Sequence, residues 1–414
     1  MASEKLAGLA SKKLMSAALP DAPPPIGPLA RYRLLSPNAS LWVSPLCLGT
    51  MNFGSAWNKH HIPAKMGGGA RGWATEDSAY TLWWDCRTDF LGECSQETAE
   101  SMLNFFYEQN FAYAGNFLDT ANNYQFGETE EWIGEWMRKR GNREEMGPSR
   151  PHIMANSSGN GTKSLVTSVE ASLKRLQTNY IDLLYIHWWD YNTSIPELMQ
   201  SLNHLVASGK VLYLGISDAP AWVVSKANEY ARNHGLRTFS VYQGRWSAAN
   251  RDLEREIIPM CKAEGMAIAP WNALGGGRFK TEQQRAQGGR EVNVSEGDIK
   301  ISQTLERIAV RLNTALTSVA LAYVMHKAPY VFPIVGGHKV HHLKGNIEAL
   351  TLSLSPEDIK EIESALPFDI GFPNSILWGS EVPDTVGQVA FLRMGGTLDH
   401  VPEPKPIAPP KGRE

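Results

Sequence analysis

A surplus of charge of either sign is absent: 40 Lys and Arg stand against 43 Asp and Glu, for a formal net charge of −3. Binding a phosphate backbone draws on a cation surplus, so nucleic acid is not an expected partner. Cysteine is scarce as well. The four in the chain (Cys47, Cys86, Cys94, Cys261) form no CxxC pair. A disulfide framework and a zinc site are therefore unexpected, no metal is assigned, and a reducing, cytoplasmic setting fits. No apolar run approaches the ~18 residues of a membrane span, so no membrane partner is expected. Two nucleotide signatures are missing too. GxGxxG follows no strand-like run, and Lys163 follows Thr162 rather than the Gly of a P-loop,. Residues 1–30 carry Lys5, Lys12 and Lys13 among small residues, then Pro20, Pro23, Pro24 and Pro25, with no arginine and no compact apolar block. They read as a flexible N-terminal extension rather than a signal peptide.

The composition that remains is that of an ordinary globular chain, 43% hydrophobic and 20% charged with 36 Gly and 25 Pro,. From residue 31, RYRLL, SPNAS and LWVSPLCLGTM give two apolar runs around a Ser-Pro-Asn turn, a hairpin leading into a buried strand,. Strand-like runs then recur at 116–120, 181–187, 211–217, 239–243, 266–271 and 330–335. Helical patterns fall at 128–140, 163–176, 196–208, 222–234, 252–264, 302–311, 318–326 and 340–348,. A strand–helix rhythm of roughly 25 to 35 residues predicts βα units with parallel strands. Seven strands are clear, and there is room for an eighth between Met146 and Ala155. The expected fold is α/β, a (β/α)8 TIM barrel with an N-terminal hairpin and a third strand that looks truncated. The barrel spans 31–373 with an inserted loop at 58–89, and 374–414 form a C-terminal extension ending in a Pro-rich tail.

In such a barrel the chemistry sits at the C-terminal ends of the strands. That rule selects Asp119, His187, Ser217, Asp218, Gln243 and Trp271, polar or aromatic residues that end apolar runs. Each alone has a plain structural reading, as a helix N-cap, a core histidine or a backbone-pairing amide; their shared rim is what singles them out. Tyr124 follows Asp119 by five residues in LDTANNYQ. With His187 it is placed to polarise a carbonyl oxygen and supply a proton as hydride reaches carbon. Asn122 and Asn123 read as turn formers. Trp57, Trp188, Trp189 and Trp246 are candidates to wall a large aromatic pocket.

The strings CLGTMNFG, NFLDTANNYQ, IDLLYIHWWD, GKVLYLGISDAPAW, APWNALGGGRFK and PIVGGHKVHHLKGNIEAL resemble the aldo-keto reductases, and within them the fungal aryl-alcohol dehydrogenase branch. The resemblance runs unbroken from residue 163 to about 373. It implies an NADPH-dependent reductase acting on a small-molecule aromatic aldehyde or ketone, with norsolorinic acid reduction in a mycotoxin pathway among the activities of the branch. It also implies the roles. Asp119, Tyr124 and His187 match three members of the catalytic tetrad, Asp119 on the cofactor side and His187 orienting the substrate carbonyl; Trp57, from its aromatic ring rather than from the resemblance, is the further candidate substrate contact. Ser217, Asp218 and Gln243 match the residues that hold the nicotinamide amide, and Trp271 the aromatic ring stacked on it. Asn272, Ala273, Leu274, Gly275, Gly276, Gly277 and Arg278 match the pyrophosphate loop. Gly336, Gly337, His338, Lys339, His342 and Asn346 match the adenosine and 2′-phosphate pocket of NADP(H).

Three departures precede Lys163. The tetrad lysine is missing from the third-strand segment, where MGPSRPHIMANSSGNGTKSL puts Asn156 nearest its place and Lys163 belongs to the next helix. Residues 58–89 form an insert whose His60 and His61 have no further ligand at metal spacing,. NFAYAG replaces a shorter turn at 110–115. Without an ammonium near Tyr124 its phenol loses help in ionising, so an NADPH-binding barrel with little catalysis is the alternative.

Overall fold

The structure, a computed structural model, describes residues 24–25, 27–59, 94–108, 115–146, 159–287, 292–337, 339–379, 383, 388–399 and 401–409. The expected hairpin is present as β1 (Arg33–Ser36) and β2 (Ala39–Val43), paired antiparallel. Parallel strands follow: β3 (Cys47–Gly49), β4 (Leu118–Asp119), β5 (Ile181–Ile186), β6 (Val211–Ser217), β7 (Phe239–Arg245), β8 (Ala267–Trp271) and β9 (Ile334–Val335). They form two sheets, in the orders β4-β3-β9 and β5-β6-β7-β8. Ile268 joins them by bridging to Val331, its N–H donating to Tyr330 O at 3.0 Å and its carbonyl accepting from Phe332 N at 2.8 Å. The described strands thus make one arc, β4-β3-β9-β8-β7-β6-β5, covering seven positions of the expected eight. The strand expected after Met146 lies, for residues 147–158, outside the described residues, as do the inserted loop from residue 60 to 89 and residues 110–114.

Helices cover the outside: α1 (Gln96–Tyr107), α2 (Glu128–Arg140), α3 (Thr162–Arg175), α4 (Ile195–Ala207), α5 (Ala221–Asn233), α6 (Ile257–Glu264), α7 (Glu296–Arg311), α8 (Leu316–Lys327), α9 (Val340–Glu348) and α10 (Pro356–Ser364). α1 and α10 were not among the expected helices, and two of the expected ones differ in extent. The helix read as 252–264 is a 3-10 turn, Asp252–Glu254, followed by α6; Glu256 between them is not helical, and Pro259 in the first turn of α6 has no N–H to give,. The helix read from 302 begins at Glu296, because Ser295 and Asp298 close a capping box ahead of the apolar stripe,.

Side chains alternate along each strand, and that alternation builds two cores. Leu183 and Tyr185, Val241, Ala267 and Ala269, Phe117 and Phe332 point inward, where Leu35, Ala39 and Val43 of the hairpin close the floor. Leu184, Ile186, Leu214, Ile216 and Ile268 point outward onto the helices. The interior is tight: a Cβ on Gly215 would lie 2.6 Å from the Tyr185 ring and 2.9 Å from Val241 Cγ1. The Tyr185 ring lies over its neighbour in the ladder because residue 215 has no side chain.

Candidate active site

Continuing the inward parity one step past the packed layer gives the rim. Phe117 leads to Asp119, Tyr185 to His187, Gly215 to Ser217, Val241 to Gln243 and Ala269 to Trp271. Registry reinforces it: Ser217 lies opposite Gln243 and Arg245 opposite Trp271 in the parallel ladders. Asp119, His187, Ser217 and Gln243 are buried and Trp271 partly so. Gln243 Nε2 donates to Asp119 Oδ1 at 3.0 Å, a bond that crosses the mouth between strands far apart in the arc.

Tyr124 is placed by the turn after β4. Its N–H donates to Ala121 O at 3.0 Å, and it opens the 3-10 turn Tyr124–Gly127, in which Gln125 and Phe126 both have positive φ. The phenol ring meets the His187 imidazole edge to face at 6.4 Å and Trp57 at 6.5 Å. Trp57, half-buried, also touches the exposed Phe126. Its loop is fastened to the same turn. Gln125 Oε1 accepts from Trp57 N at 3.0 Å, and Glu128 Oε2 accepts from Ser55 N at 2.5 Å and Ala56 N at 2.9 Å. Asp119, Tyr124, His187 and Trp57 therefore gather on one side of the mouth.

The other side is built by β6, β7, β8 and the chain after β9. Asp218 takes φ 44°, its N–H bonded to Gln243 O at 3.1 Å. Tyr242 fixes this turn, its hydroxyl donating to Ala219 O at 2.8 Å and accepting from Ala219 N at 3.1 Å. Burial, then the nearby Asp218 charge, pushes the Tyr242 phenol well above its ordinary value, so it stays a neutral hydrogen-bonding strut,. Asp218 Oδ1 accepts from Trp271 Nε1 at 3.3 Å and steadies the indole. Past Trp271, Asn272 and Gly275, Gly276 and Gly277 all have positive φ, forming a tight loop closed by Gly275 N donating to Asn272 O at 2.8 Å. A Cβ on Gly276 would sit 2.6 Å from Asn272 Oδ1. Ala273 and Leu274 pack into the outer core, so only their backbone is available to a ligand. Arg278 is engaged below the loop, with Asn293 O at 3.0 Å and Asp298 at 3.9 Å.

At the far end Asn52 Nδ2 donates to Gly337 O at 2.8 Å, and Lys339 stands exposed as the N-cap of α9, which carries His342 and Asn346. His338 lies outside the described residues, as do Asn156, His60 and His61; Lys163 is exposed in the first turn of α3.

Among the buried polar atoms with no hydrogen-bond partner among the described residues are Ser217 Oγ at the end of β6 and Asn346 Nδ2 on α9. Burying such groups unpaired is costly, so each would gain from a ligand group that pairs it. Thr120 Oγ1 and both amide atoms of Asn122 share that condition beside Tyr124. The sequence signal for Asn122 was ambiguous, since Asn is also the residue a turn favours. Two aromatic assignments are corrected. Trp246 is fully buried in the outer core with Nε1 bonded to Glu254 Oε1 at 3.1 Å, and Trp189 packs in the same core, so neither walls the mouth; Trp188 is exposed.

A family model described as Aldo/keto reductase family matches residues 83–367. The chain is 49% identical over 402 residues to norsolorinic acid reductase B of Dothistroma septosporum, covering 91% of its own length and 94% of the relative's. Identity to norsolorinic acid reductase A of Aspergillus parasiticus is 47% over 413 residues, covering 95% and 97%. An aryl-alcohol dehydrogenase [NADP(+)] of Phanerodontia chrysosporium is 41% identical over 417 residues, covering 94% and 98%.

Proposed function

Because the chain belongs to the aldo/keto reductase family, we propose that it is an NADPH-dependent reductase converting an aromatic aldehyde or ketone into the alcohol. The observation that carries this reading is the meeting of Tyr124 with His187 opposite a wall that ends in Ser217, Gln243 and Trp271, the two sides linked by the Gln243–Asp119 bond. The residues fit a dinucleotide. Ser217 Oγ and Asn346 Nδ2, buried and unpartnered, stand on β6 and on α9 just past β9, and the glycine turn between them lets backbone approach an anion,. Ser217, Asp218 and Gln243 would hold the carboxamide and Trp271 the ring face. Residues 272–278 would wrap the pyrophosphate, and Gly336, Gly337, His338, Lys339, His342 and Asn346 would take the adenosine and its phosphate. When bound, the reduced nicotinamide supplies the hydride.

The protein's own part is positional and protic. Tyr124 donates a proton to the carbonyl oxygen, and His187 aims its imidazole N–H at the same oxygen. Asp119, held by Gln243, fixes the floor beside them. Trp57 and Phe126, in ring contact beside Tyr124, would present flat apolar faces at the entrance, suited to fused aromatic rings; Trp188 is a further candidate for that wall. Norsolorinic acid is the first substrate to try, since relatives at 47% and 49% identity bear its name. The barrel spans 31–373, with extensions at 1–30 and 374–414. Cys47, Cys94 and Cys261, all buried, suit a reducing, cytoplasmic setting.

The test is NADPH oxidation by the purified protein with a panel of aryl aldehydes and ketones beside Tyr124→Phe. Loss of the proton donor is expected to lower kcat by about 10²- to 10⁴-fold with NADPH affinity retained. Protein that binds NADPH but turns over nothing on the panel, or a Tyr124→Phe variant as fast as its parent, overturns the reading.

A further inference from the structure

β5 forms one end of the described arc, and polar side chains fasten both of its ends to the chain that precedes it. At its start Arg143 does the fastening. Its guanidinium donates to Met146 O at 2.5 Å, Thr178 Oγ1 at 2.8 Å and Tyr180 O at 2.6 Å, pairs with Asp182 at 3.0 Å, and stacks over the Tyr180 ring at 4.0 Å.

At its finish the chain enters the loop that carries His187, and here the fastening is reciprocal. Asn160 N donates to Asp190 Oδ2 at 2.7 Å, while Asp190 N donates to Asn160 Oδ1 at 3.0 Å. Asn160 Nδ2 donates to Trp188 O, the carbonyl next to His187, at 3.0 Å. Asp190 also folds its own loop, accepting from Asn192 N at 3.0 Å, Thr193 N at 2.9 Å and Thr193 Oγ1 at 2.7 Å. Gly159, at φ 83°, lets this approach happen, since a Cβ there would lie 2.7 Å from Asp190 Oδ2. Burial alone would raise the Asp190 carboxyl, but the donors on Asn160, Thr193 and Asn192 outweigh it and hold it below the usual range, so it stays ionised through neutral pH,. Thr162, opening α3, is bound in turn to Glu197 on α4 at 3.1 Å, which keeps Asn160 from drifting.

We propose that Asp190 and Asn160 are positioning residues for His187: the reciprocal pair pins the carbonyl of Trp188 and the loop beyond it, and so sets the imidazole edge to face against Tyr124. This deepens the proposed reductase reading and rests on it. The pair touches neither the Ser217 side nor the glycine loop, so its influence is confined to the carbonyl-orienting side of the mouth. A residue that acts through its backbone and loop on one side chain has a distinctive kinetic signature, because its loss costs nothing once that side chain is gone.

The experiment is a kinetic cycle crossing Asp190→Ala and Asn160→Ala with His187→Ala, assayed with NADPH and an aryl aldehyde, and with NADPH affinity read from fluorescence. Each clamp variant is expected to lower kcat/KM at least tenfold in the parent and less than twofold in the His187→Ala background, with NADPH affinity unchanged within twofold. Equal losses in both backgrounds overturn the proposal and leave the reductase reading intact. If His187→Ala is as active as the parent, His187 leaves the reaction and the proposal falls with it, while Tyr124→Phe still judges the reductase. Should the alanine variants not fold, Thr193→Val removes a single bond to Asp190 and is read by the same two-background comparison.

Discussion

The two sides of the barrel mouth are made differently. The side with Ser217, Gln243 and Trp271 is the end of a sheet whose strands β6, β7 and β8 run seven, seven and five residues in parallel ladders, the β6–β7 register shifting once, between Leu214 and Gly215. Its side chains stand where the backbone register puts them. The side with Trp57 and Tyr124 follows β3 and β4, three and two residues long, and its position is set by side chains reaching to loop backbone, Gln125 and Glu128 above all. Ladders are rigid and hard to vary, whereas loops fastened by a few polar side chains can be re-aimed by single substitutions. The difference separates a wall suited to an invariant cofactor from one suited to a changeable substrate.

Breaking the ladder side should be felt first as instability. Gly215→Ala drives a Cβ into the Tyr185 ring and Val241, neither a flexible tip. Overpacking of this kind costs about 1–3 kcal/mol, and each kcal/mol lowers Tm by roughly 1–2 °C in a domain this large. A thermal melt within a degree of the parent would show that the interior has slack. Loosening the loop side should be felt as weaker substrate recognition instead. Glu128→Ala removes two charge-assisted bonds to the 55–56 backbone, and is expected to raise KM for the aryl carbonyl about tenfold with NADPH affinity within twofold. A parallel loss of NADPH affinity would mean the two sides are not independent.

How much of this could be read in advance follows the same division. Strand ends in the repeating βα pattern were legible, because inward parity is a local property: Asp119, His187, Ser217, Gln243 and Trp271 all lie where alternation puts them. What depends on partners distant in sequence was not. Trp246 looks like any other exposed aromatic until Glu254 and the outer core claim it. The 30-residue span from Asn160 to Asp190 carries no periodicity that would announce a reciprocal pair. Helices α1 and α10 fall outside the expected elements although Ser95 and Ser355 cap them, since their short amphipathic faces make sense only against the helices they meet. The start of α7 was hidden by the polar run 296–300, whose helicity comes from the capping box rather than from apolar spacing.

The smallest expected effect gives the sharpest test of the ladder side, because stability and binding should move in opposite directions. Ser217 Oγ is fully buried and has no partner among the described residues. An unsatisfied buried hydroxyl is a standing cost of about 1–3 kcal/mol, part of which the truncation relieves. Ser217→Ala should therefore leave the unliganded protein as stable as its parent, or more stable by up to ~1 kcal/mol. The same hydroxyl, given a carboxamide to bond, would contribute a typical net hydrogen bond of about 0.5–1.5 kcal/mol. NADPH affinity should accordingly fall by roughly three- to tenfold, a factor of ten being about 1.4 kcal/mol. A melting curve and a fluorescence titration on the same sample read both quantities. A lower melting temperature with unchanged NADPH affinity would make the hydroxyl a structural group and take the carboxamide away from the end of β6.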